Sequence, residues 1–242
     1  MSWLFPKAEA ARRSTGFHNG TACSARKAAT GRGLAANLPP MIWLTSPDAI
    51  ATALPAAWLI ATDQRPEHLP GRSSLRRETA RGIIARQLAL PDDAIEIGHD
   101  ERGQPLLLGP VPLGLHLSLA TRAGVVAIAL AQRPTGIDVE QIEGTTEPPL
   151  ASLHPDERAA LLELPAAKRA AAFAQIWSAK EAYVKALGTG FARSPESFAV
   201  TLSAGQRFFL TDPVRKLRIE GDTRLIKNGG QESLAAAIIV LD

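Results

Sequence analysis

Two acidic residues alternate with aliphatic ones in the stretch TGIDVEQI, residues 135–142. Successive side chains of a strand point to opposite faces, so Asp138 and Glu140 would share the face opposite the aliphatic residues. Residues two apart on one face lie about 6.5–7 Å from each other, and two carboxylates at that distance repel unless a cation joins them. Magnesium suits such a pair because it takes oxygen ligands and completes its shell with water or phosphate. The same pattern also occurs on exposed strands whose acids are simply hydrated, so this stretch alone leaves both interpretations open.

A second stretch, QIWSAKEAYVKALGTG at residues 175–190, predicts an amphipathic helix that ends in glycine. The spacing i, i+4, i+8 places Trp177, Glu181 and Lys185 on one side, where Trp177 is expected to pack. An ordinary surface ion pair between Glu181 and Lys185, worth only about 0.3–0.5 kcal/mol, would explain the two charges equally well. A third acid beside the two strand acids, flanked by Lys180 and Lys185, would instead suit a metal-bound pyrophosphate.

The remaining elements must bring these two stretches together, and their pattern predicts two successive groups, each a helical segment followed by a small sheet. Helices are expected at 73–90, 154–164 and 166–187, and strands at 56–63, 94–100, 115–120, 124–131 and 137–142 and in four segments between 197 and 241. Ser73 or Ser74 would cap the first helix, and the turn QRPTG at 132–136 would make a hairpin of the strands on either side. This order predicts an α+β fold of two similar halves related by pseudo-twofold symmetry.

The first 40 residues differ in composition from the rest of the 242-residue chain. They hold six Lys and Arg against one acid, a charge of +5, so the overall +3 leaves −2 for the remainder. An acidic remainder argues against a nucleic-acid-binding core. The single cysteine, Cys23, also lies in this segment, which excludes a disulfide and fits a reducing cytoplasm. The segment is compatible with a transit peptide, a disordered extension, or a reading frame that runs upstream of a true start at Met41.

The apolar runs of the chain are short. GVVAIALA at 124–131 and LAAAIIVL at 234–241 each contain eight residues, whereas a membrane-spanning helix needs roughly 20. No membrane-spanning helix is expected.

The motifs at 136–140 and 177–185, taken together, are recognisable. GIDVE, followed some 37 residues later by WSAKEAYVK, resembles the paired signature of the 4′-phosphopantetheinyl transferases, and GTGFARSPESFAV at 188–200 resembles the family's next segment. About 95 residues separate Met41 from Asp138. This length is enough for a whole preceding half. The chain is therefore similar to the surfactin-type branch, whose two halves form a pseudodimer with one site at their junction. The resemblance implies an N-terminal half at 41–133 and a C-terminal half at 134–242, preceded by the 1–40 extension.

The resemblance also implies an activity, the transfer of 4′-phosphopantetheine from coenzyme A to a serine of an apo acyl, peptidyl or aryl carrier protein. Such carriers serve fatty-acid, polyketide and nonribosomal-peptide synthesis. By matching motif positions, Asp138, Glu140 and Glu181 would bind Mg²⁺. Lys185 would contact the transferred phosphate, and Lys180 would support either the pyrophosphate or the packing of the site. Glu181 is the candidate acceptor of the serine proton, and Asp138 and Lys185 complete the expected catalytic set.

The chain departs from this branch at two places near the coenzyme A nucleotide. The branch carries a Gly-Lys-Pro or Gly-Arg-Pro turn and a Ser-His pair, whereas this chain has Gln104-Pro105 and Ser118-Leu119. A cation and a histidine are therefore missing. Gln104, Pro105 and Ser118 remain candidate coenzyme A contacts, and Arg122 is expected either to replace the missing charge or to be a solvated turn residue.

The first helix is rich in arginine, which most often marks a solvated face. In this family the same region contributes to the site for the 3′-phosphate of coenzyme A. Arg77 and Arg81 are therefore candidate contacts to that group.

Two other functions remain open from the sequence. One is a degenerate homologue that binds coenzyme A or a carrier protein without turnover. The other is an unrelated magnesium-dependent phosphohydrolase, which would need an activated water and further acids or a histidine. The expected partners are coenzyme A and an apo carrier protein, with no nucleic acid and no membrane, and the pseudodimer is expected to be a monomer.

Overall fold

A computed structural model describes residues 41–144, 149–189, 193–228 and 231–242 of the chain. The predictions made for residues 1–40 lie outside the described residues. Within the described part, no helix is long and apolar enough to cross a membrane.

The N-terminal part of the fold is a four-stranded sheet with one long helix against it. Its elements are β1 (Ile42–Leu44), β2 (Ala56–Ala61), α1 (Leu69–Leu88), β3 (Glu96–His99), β4 (Pro105–Leu108), β5 (His116–Arg122) and β6 (Val125–Ala131). The sheet has the order β1-β2-β6-β5, in which only β1 and β2 run parallel. Strands β3 and β4 form a separate hairpin. Strand β6 is buried along its whole length because α1 covers one face and the second half covers the other.

The C-terminal part is a five-stranded antiparallel sheet crossed by a 22-residue helix. Its elements are β7 (Thr135–Gln141), α2 (Pro155–Glu163), α3 (Ala166–Leu187), β8 (Ala199–Ser203), β9 (Arg207–Asp212), β10 (Leu217–Asn228) and β11 (Gln231–Val240). The strand order is β7-β11-β10-β9-β8. Helix α3 packs mainly on β7 and β11 and ends at Gly188, which takes a left-handed conformation with φ of 62°.

The two parts share an apolar layer made mostly of small and β-branched residues. It combines Ala57, Leu59, Ala120, Val125, Ala127 and Ala129 from the first part with Ile137, Val139, Leu234, Ala236 and Ile238 from the second. Strands β5 and β7 meet at this layer, where the backbone N–H of Ile137 donates to Ser118 Oγ at 3.0 Å. The expected α+β fold of two halves is confirmed, and the junction lies beside the Asp138 strand.

The structure corrects two expectations about local elements and adds two strands that were not predicted. Strands β6 and β7 do not form a hairpin, because the chain crosses at Pro134 from the first sheet to the second, where β7 pairs with β11. Helix α1 begins at Leu69 with a proline in its first turn, and neither Ser73 nor Ser74 caps it. The short strands β1 and β4 had no recognisable pattern in the sequence.

Candidate active site

The acids of β7 face helix α3. Gly136 has the same orientation as Asp138 and Glu140, two and four residues along the strand. A Cβ atom at Gly136 would lie 1.8 Å from the carbonyl oxygen of Ala182 in α3. Glycine therefore allows the helix to rest directly on the strand, and this contact brings Glu181 and Lys185 next to the two strand acids.

Lys185 connects the acids to both halves. Its Nζ donates to Asp138 Oδ1 at 2.7 Å, to the carbonyl oxygen of Ile137 at 3.1 Å and to that of Leu119 at 3.4 Å. Leu119 belongs to β5 of the first half, so one ammonium group bridges β5, β7 and α3. The alternative of an ordinary surface ion pair with Glu181 is not what Lys185 forms here, since its acidic partner is the buried Asp138.

Burial makes all three acids hold protons more tightly than usual, and neighbouring negative charge adds to this effect at Glu140 and Glu181. Burial raises the pKa of Glu140 to about 7, with a further increase from the charges of Asp138 and Glu181 and an opposing effect of Arg122. Burial and the charge of Asp138 also raise the pKa of Glu181 to about 7. Burial raises the pKa of Asp138 itself, against the opposing effect of Lys185. Three buried carboxyl groups with raised pKa values lie in a site that favours added positive charge.

The donor set at this site fits a hard divalent cation. All three groups offer carboxylate oxygens, and Asp138 Oδ2 is buried without a hydrogen-bond partner among the described residues. An unpartnered buried carboxylate oxygen is costly unless a ligand contacts it. In the described part of the chain, no three acid, histidine or cysteine side chains already converge into a complete metal site. The three acids would have to turn toward a common point to bind the ion.

A pocket of about 190 Å³ opens beside Lys185 and lies between the halves. Its walls come from α1, the β3–β4 hairpin, β5 and the end of α3. The lining residues are Ser73, Arg76, Arg77, His99, Arg102, Gly103, Gln104, Pro105, Ser118, Leu119, Val184, Lys185 and Gly188. Three arginines and one lysine contribute positive charge, and no acid is among the described residues that line it. The pocket therefore suits a ligand with several negative charges.

Most of the candidate coenzyme A contacts come together in this pocket. Arg77, Gln104, Pro105, Ser118 and Lys185 all line it. The hydroxyl oxygen of Ser118 also accepts the bond from Ile137 described above, so this residue serves the junction as well as the wall.

Gln104 connects the hairpin to the end of α3. Its Nε2 donates to the carbonyl oxygen of Lys185 at 3.2 Å, and its Oε1 lies 2.6 Å from where a Cβ at Gly188 would be. The residue that stands where the surfactin-type branch has a cation is thus a polar connection between the two halves.

Three candidate contacts lie outside the pocket. Arg81 is exposed on α1 and does not line it. Arg122 does not replace the charge missing at Gln104, because its guanidinium lies 3.6 Å from Glu140 Oε2 and 3.8 Å from Glu143 Oε1. It is therefore a neighbour of the acids and neither a pocket residue nor a solvated turn arginine.

Lys180 is the third, and its position corrects the prediction that it supports the pyrophosphate. The side chain is fully buried, and its Nζ contacts Glu157 Oε1 at 2.7 Å and the carbonyl oxygens of Pro195 and Phe198 at 2.8 and 2.6 Å. These contacts join α3 to the start of α2 and to the segment that enters β8. The other predicted role, packing, is the one that its contacts support.

Sequence reasoning missed three basic residues of the pocket. Arg76 lies beside Arg77, and burial and the neighbouring Arg72 and Arg77 lower the pKa of its guanidinium, whereas Asp138 acts in the opposite sense. His99 and Arg102 come from the hairpin. The arginine run on α1 was visible, but the pattern of a helix does not reveal which of its arginines turn inward. The only signal for the hairpin residues was their closeness to Gln104 in the chain.

Comparison with known proteins gives the same family as the paired motifs. The family profile described as the 4′-phosphopantetheinyl transferase superfamily matches residues 134–239. The 4′-phosphopantetheinyl transferase psf-1 of Bacillus pumilus is 32% identical over 134 residues, which are 54% of this chain and 56% of the relative. The 4′-phosphopantetheinyl transferase HetI of Nostoc sp. is 30% identical over 139 residues, 54% of this chain and 57% of the relative. A 4′-phosphopantetheinyl transferase of Bacillus subtilis is 27% identical over 123 residues, 50% of this chain and 54% of the relative.

The chain thus spans about half the length of the curated relatives that it matches. The matched profile contains the acidic strand β7, the helix α3 with Glu181 and Lys185, and the sheet that holds them. Through these residues the chain is similar to the 4′-phosphopantetheinyl transferase superfamily.

Proposed function

We propose that this protein transfers the 4′-phosphopantetheine group of coenzyme A to a serine of an apo carrier protein, with Mg²⁺ as the metal. The observation that carries the proposal is the position of Lys185. It lies where the cation-lined pocket meets the three acids, so a phosphate bound in the pocket would reach the acidic site.

The pocket side of the site suits the nucleotide and phosphates of coenzyme A. Arg76, Arg77 and Arg102 would balance phosphate charge, and Lys185 would turn the N–H that Asp138 now accepts toward an oxygen of the transferred phosphate. The hydrogen bonds of Lys185 to Leu119 and Ile137 keep its ammonium group at the junction. A cation held in place in this way stabilises negative charge that develops on the phosphate.

The acidic side of the site would hold the metal and the incoming serine. Asp138, through its unpartnered Oδ2, and Glu140 and Glu181 would be the metal ligands. Bound there, Mg²⁺ would neutralise charge on the pyrophosphate. Glu181 is also the proposed acceptor of the serine proton, directly or through a water molecule, because a positioned carboxylate can act as a general base.

The partners and the assembly belong to the same proposal. An apo acyl, peptidyl or aryl carrier protein provides the serine. Both halves of one chain build the pocket, so a second copy is not needed and a monomer is proposed. The cytoplasm is the proposed location.

A carrier-loading assay tests the function directly. The protein is mixed with coenzyme A, Mg²⁺ and an apo carrier protein, and the carrier is weighed by mass spectrometry. We expect a gain of one phosphopantetheine group that disappears with a chelator and in Glu181→Ala. Arg207→Gln is the matched control, since it changes one charge in an exposed ion pair of β9 and β10 and should load the carrier normally.

Two results would replace the proposal. Binding of coenzyme A without loading across several carriers would indicate the degenerate homologue. Metal-dependent cleavage of the coenzyme A pyrophosphate without any carrier would indicate a phosphohydrolase.

A further inference from the structure

Arg122 is the second cation at the acidic site, and the function proposed above gives it no role. It is the last residue of β5, in the first half, and it reaches across the junction to β7. Its Nε lies 3.6 Å from Glu140 Oε2, and its terminal nitrogen lies 3.8 Å from Glu143 Oε1. One guanidinium is therefore shared between two carboxylates.

The contact of Arg122 is looser than that of Lys185. Lys185 Nζ lies 2.7 Å from Asp138 and is also held by two carbonyl oxygens. In contrast, Nε of Arg122 is buried and has no hydrogen-bond partner within the described ranges. A separation of 3.6 Å without a hydrogen bond gives charge neutralisation but little geometric restraint. Of the two cations at the acids, Arg122 is the one that can move away at lower cost.

Arg122 and a metal ion would compete for Glu140. The guanidinium lies 3.6 Å from Glu140 Oε2, so its positive charge offsets the repulsion between this carboxylate and the other two acids. Arg122 thus makes part of the electrostatic contribution that a metal ion would make at this carboxylate. An arginine and a divalent cation cannot both stay close to Glu140 without repelling each other.

We infer that Arg122 neutralises Glu140 when no metal is bound and must release this carboxylate for a divalent cation to bind, so that Arg122 sets the metal affinity of the site. The inference rests on the proposed metal site at Asp138, Glu140 and Glu181. It assigns Arg122 as a residue that tunes metal affinity from the first half, outside the segment with the paired motifs.

The consequence is a metal affinity that rises when the arginine is removed. Loss of the guanidinium leaves Glu140 without its competing partner and removes the repulsion between two cations. For a pair that is about one-third exposed on the arginine side, we expect metal binding to tighten by roughly three- to tenfold. Arg122→Lys keeps a cation near Glu140, so its affinity should return toward that of the wild type.

Mn²⁺ titration of the full chain, followed by electron paramagnetic resonance without coenzyme A or carrier, measures this affinity. Arg122→Gln should bind Mn²⁺ more tightly than the wild type. Arg207→Gln removes one arginine from an exposed ion pair and controls for net charge, so its affinity should not change. In a Glu140→Gln background, the gain from Arg122→Gln should shrink, because the competition acts through Glu140. Equal or weaker binding by Arg122→Gln would overturn the inference.

Asp138→Asn separates this result from a failure of the proposed function. Loss of Mn²⁺ binding in Asp138→Asn, together with an unchanged Arg122→Gln, would overturn the role of Arg122 alone. Unchanged Mn²⁺ binding in Asp138→Asn would show that the metal site itself is not at these acids, and both proposals would fall. Thermal unfolding of each variant shows whether it is folded at the titration temperature.

Discussion

The carboxyl groups of Glu140 and Glu181 make the stability of the metal-free protein depend on pH. Each has a pKa of about 7 in the folded chain, above the ordinary value of 4.5. The folded state therefore binds more protons than the unfolded state between these values, and its free energy of unfolding falls as the pH rises through this window. The two groups share one site, so we expect a loss on the order of 1 kcal/mol per carboxyl.

Thermal unfolding in a chelator at pH 5.5 and pH 8 measures this effect. The melting temperature should be lower at pH 8, and a Glu140→Gln/Glu181→Gln double variant should lose less stability over the same range. Added Mg²⁺ should restore the wild type at pH 8 but not the double variant. If wild type and double variant respond equally to pH, the two acids do not carry raised pKa values.

The spacing of charged residues predicted the positions of the side chains at the acidic site better than it predicted the position of Lys180. Asp138, Glu140, Glu181 and Lys185 were found from strand alternation and helix periodicity, since both rules fix the direction in which a side chain leaves the backbone. Lys180 belongs to the same helix, but it extends into a cavity built by α2 and the segment before β8. The position of its ammonium group depends on contacts with residues distant in the sequence, which helix periodicity does not predict.

At the scale of elements, the site depends on the direct contact of α3 with β7. Gly136 is the point of closest approach, where a Cβ would overlap the backbone of Ala182 and lie 2.7 Å from the backbone nitrogen of Ala186. Neither partner can rotate away, because both are backbone. Asp138 follows Gly136 by two residues on the same face of β7. Any displacement of α3 from Gly136 therefore also moves Lys185 relative to this acid.

Gly136→Ala should therefore destabilise the protein by roughly 3 kcal/mol or more, because overpacking here forces backbone apart. Urea denaturation measures the change in the free energy of unfolding. Gly144→Ala is the matched control: no described atom lies within 4 Å of the point that its new methyl group would occupy, and the substitution should be nearly neutral. A similarly small loss of stability in both variants would contradict the close approach of α3 to β7 at Gly136.

The elements themselves were predicted unevenly. Helix α3 was placed at its observed bounds because a long amphipathic period closed by glycine is a local signal. The prediction that β7 pairs with β6 was wrong. A turn-like sequence between two strands does not show whether they form a hairpin or belong to different sheets. That choice is made by the buried layer between the halves, to which β7 and β11 both contribute.

At the scale of the whole molecule, the pocket exists because the hairpin of the first half touches the end of α3 in the second. Gln104 makes this contact through the carbonyl oxygen of Lys185, and Gly188 leaves space for its side chain. The sequence resemblance marked Gln104 as a lost cation and as a candidate coenzyme A contact, but not as a connection between the halves. A connection between residues 81 positions apart in the chain becomes visible only once both halves are folded.

Gly188→Ala tests this connection. The substitution carries two costs: a left-handed φ of 62°, worth about 1–2 kcal/mol for a residue with a side chain, and a contact at 2.6 Å that pushes Gln104 away from Lys185. Gly205→Ala carries only the first cost, because Gly205 has a φ of 75° and no described atom within 4 Å of the place where a Cβ would stand.

We expect Gly188→Ala to lower the free energy of unfolding by about 1 kcal/mol more than Gly205→Ala, which is the value of a lost hydrogen bond. In a Gln104→Ala background this excess should disappear, because the displaced side chain and its bond are already absent, whereas the cost of Gly205→Ala should stay the same. Urea denaturation of the six proteins of this cycle measures both differences. An excess that survives Gln104→Ala would place the conflict in α3 itself, and the hairpin would then not be what positions the end of the helix that carries Lys185.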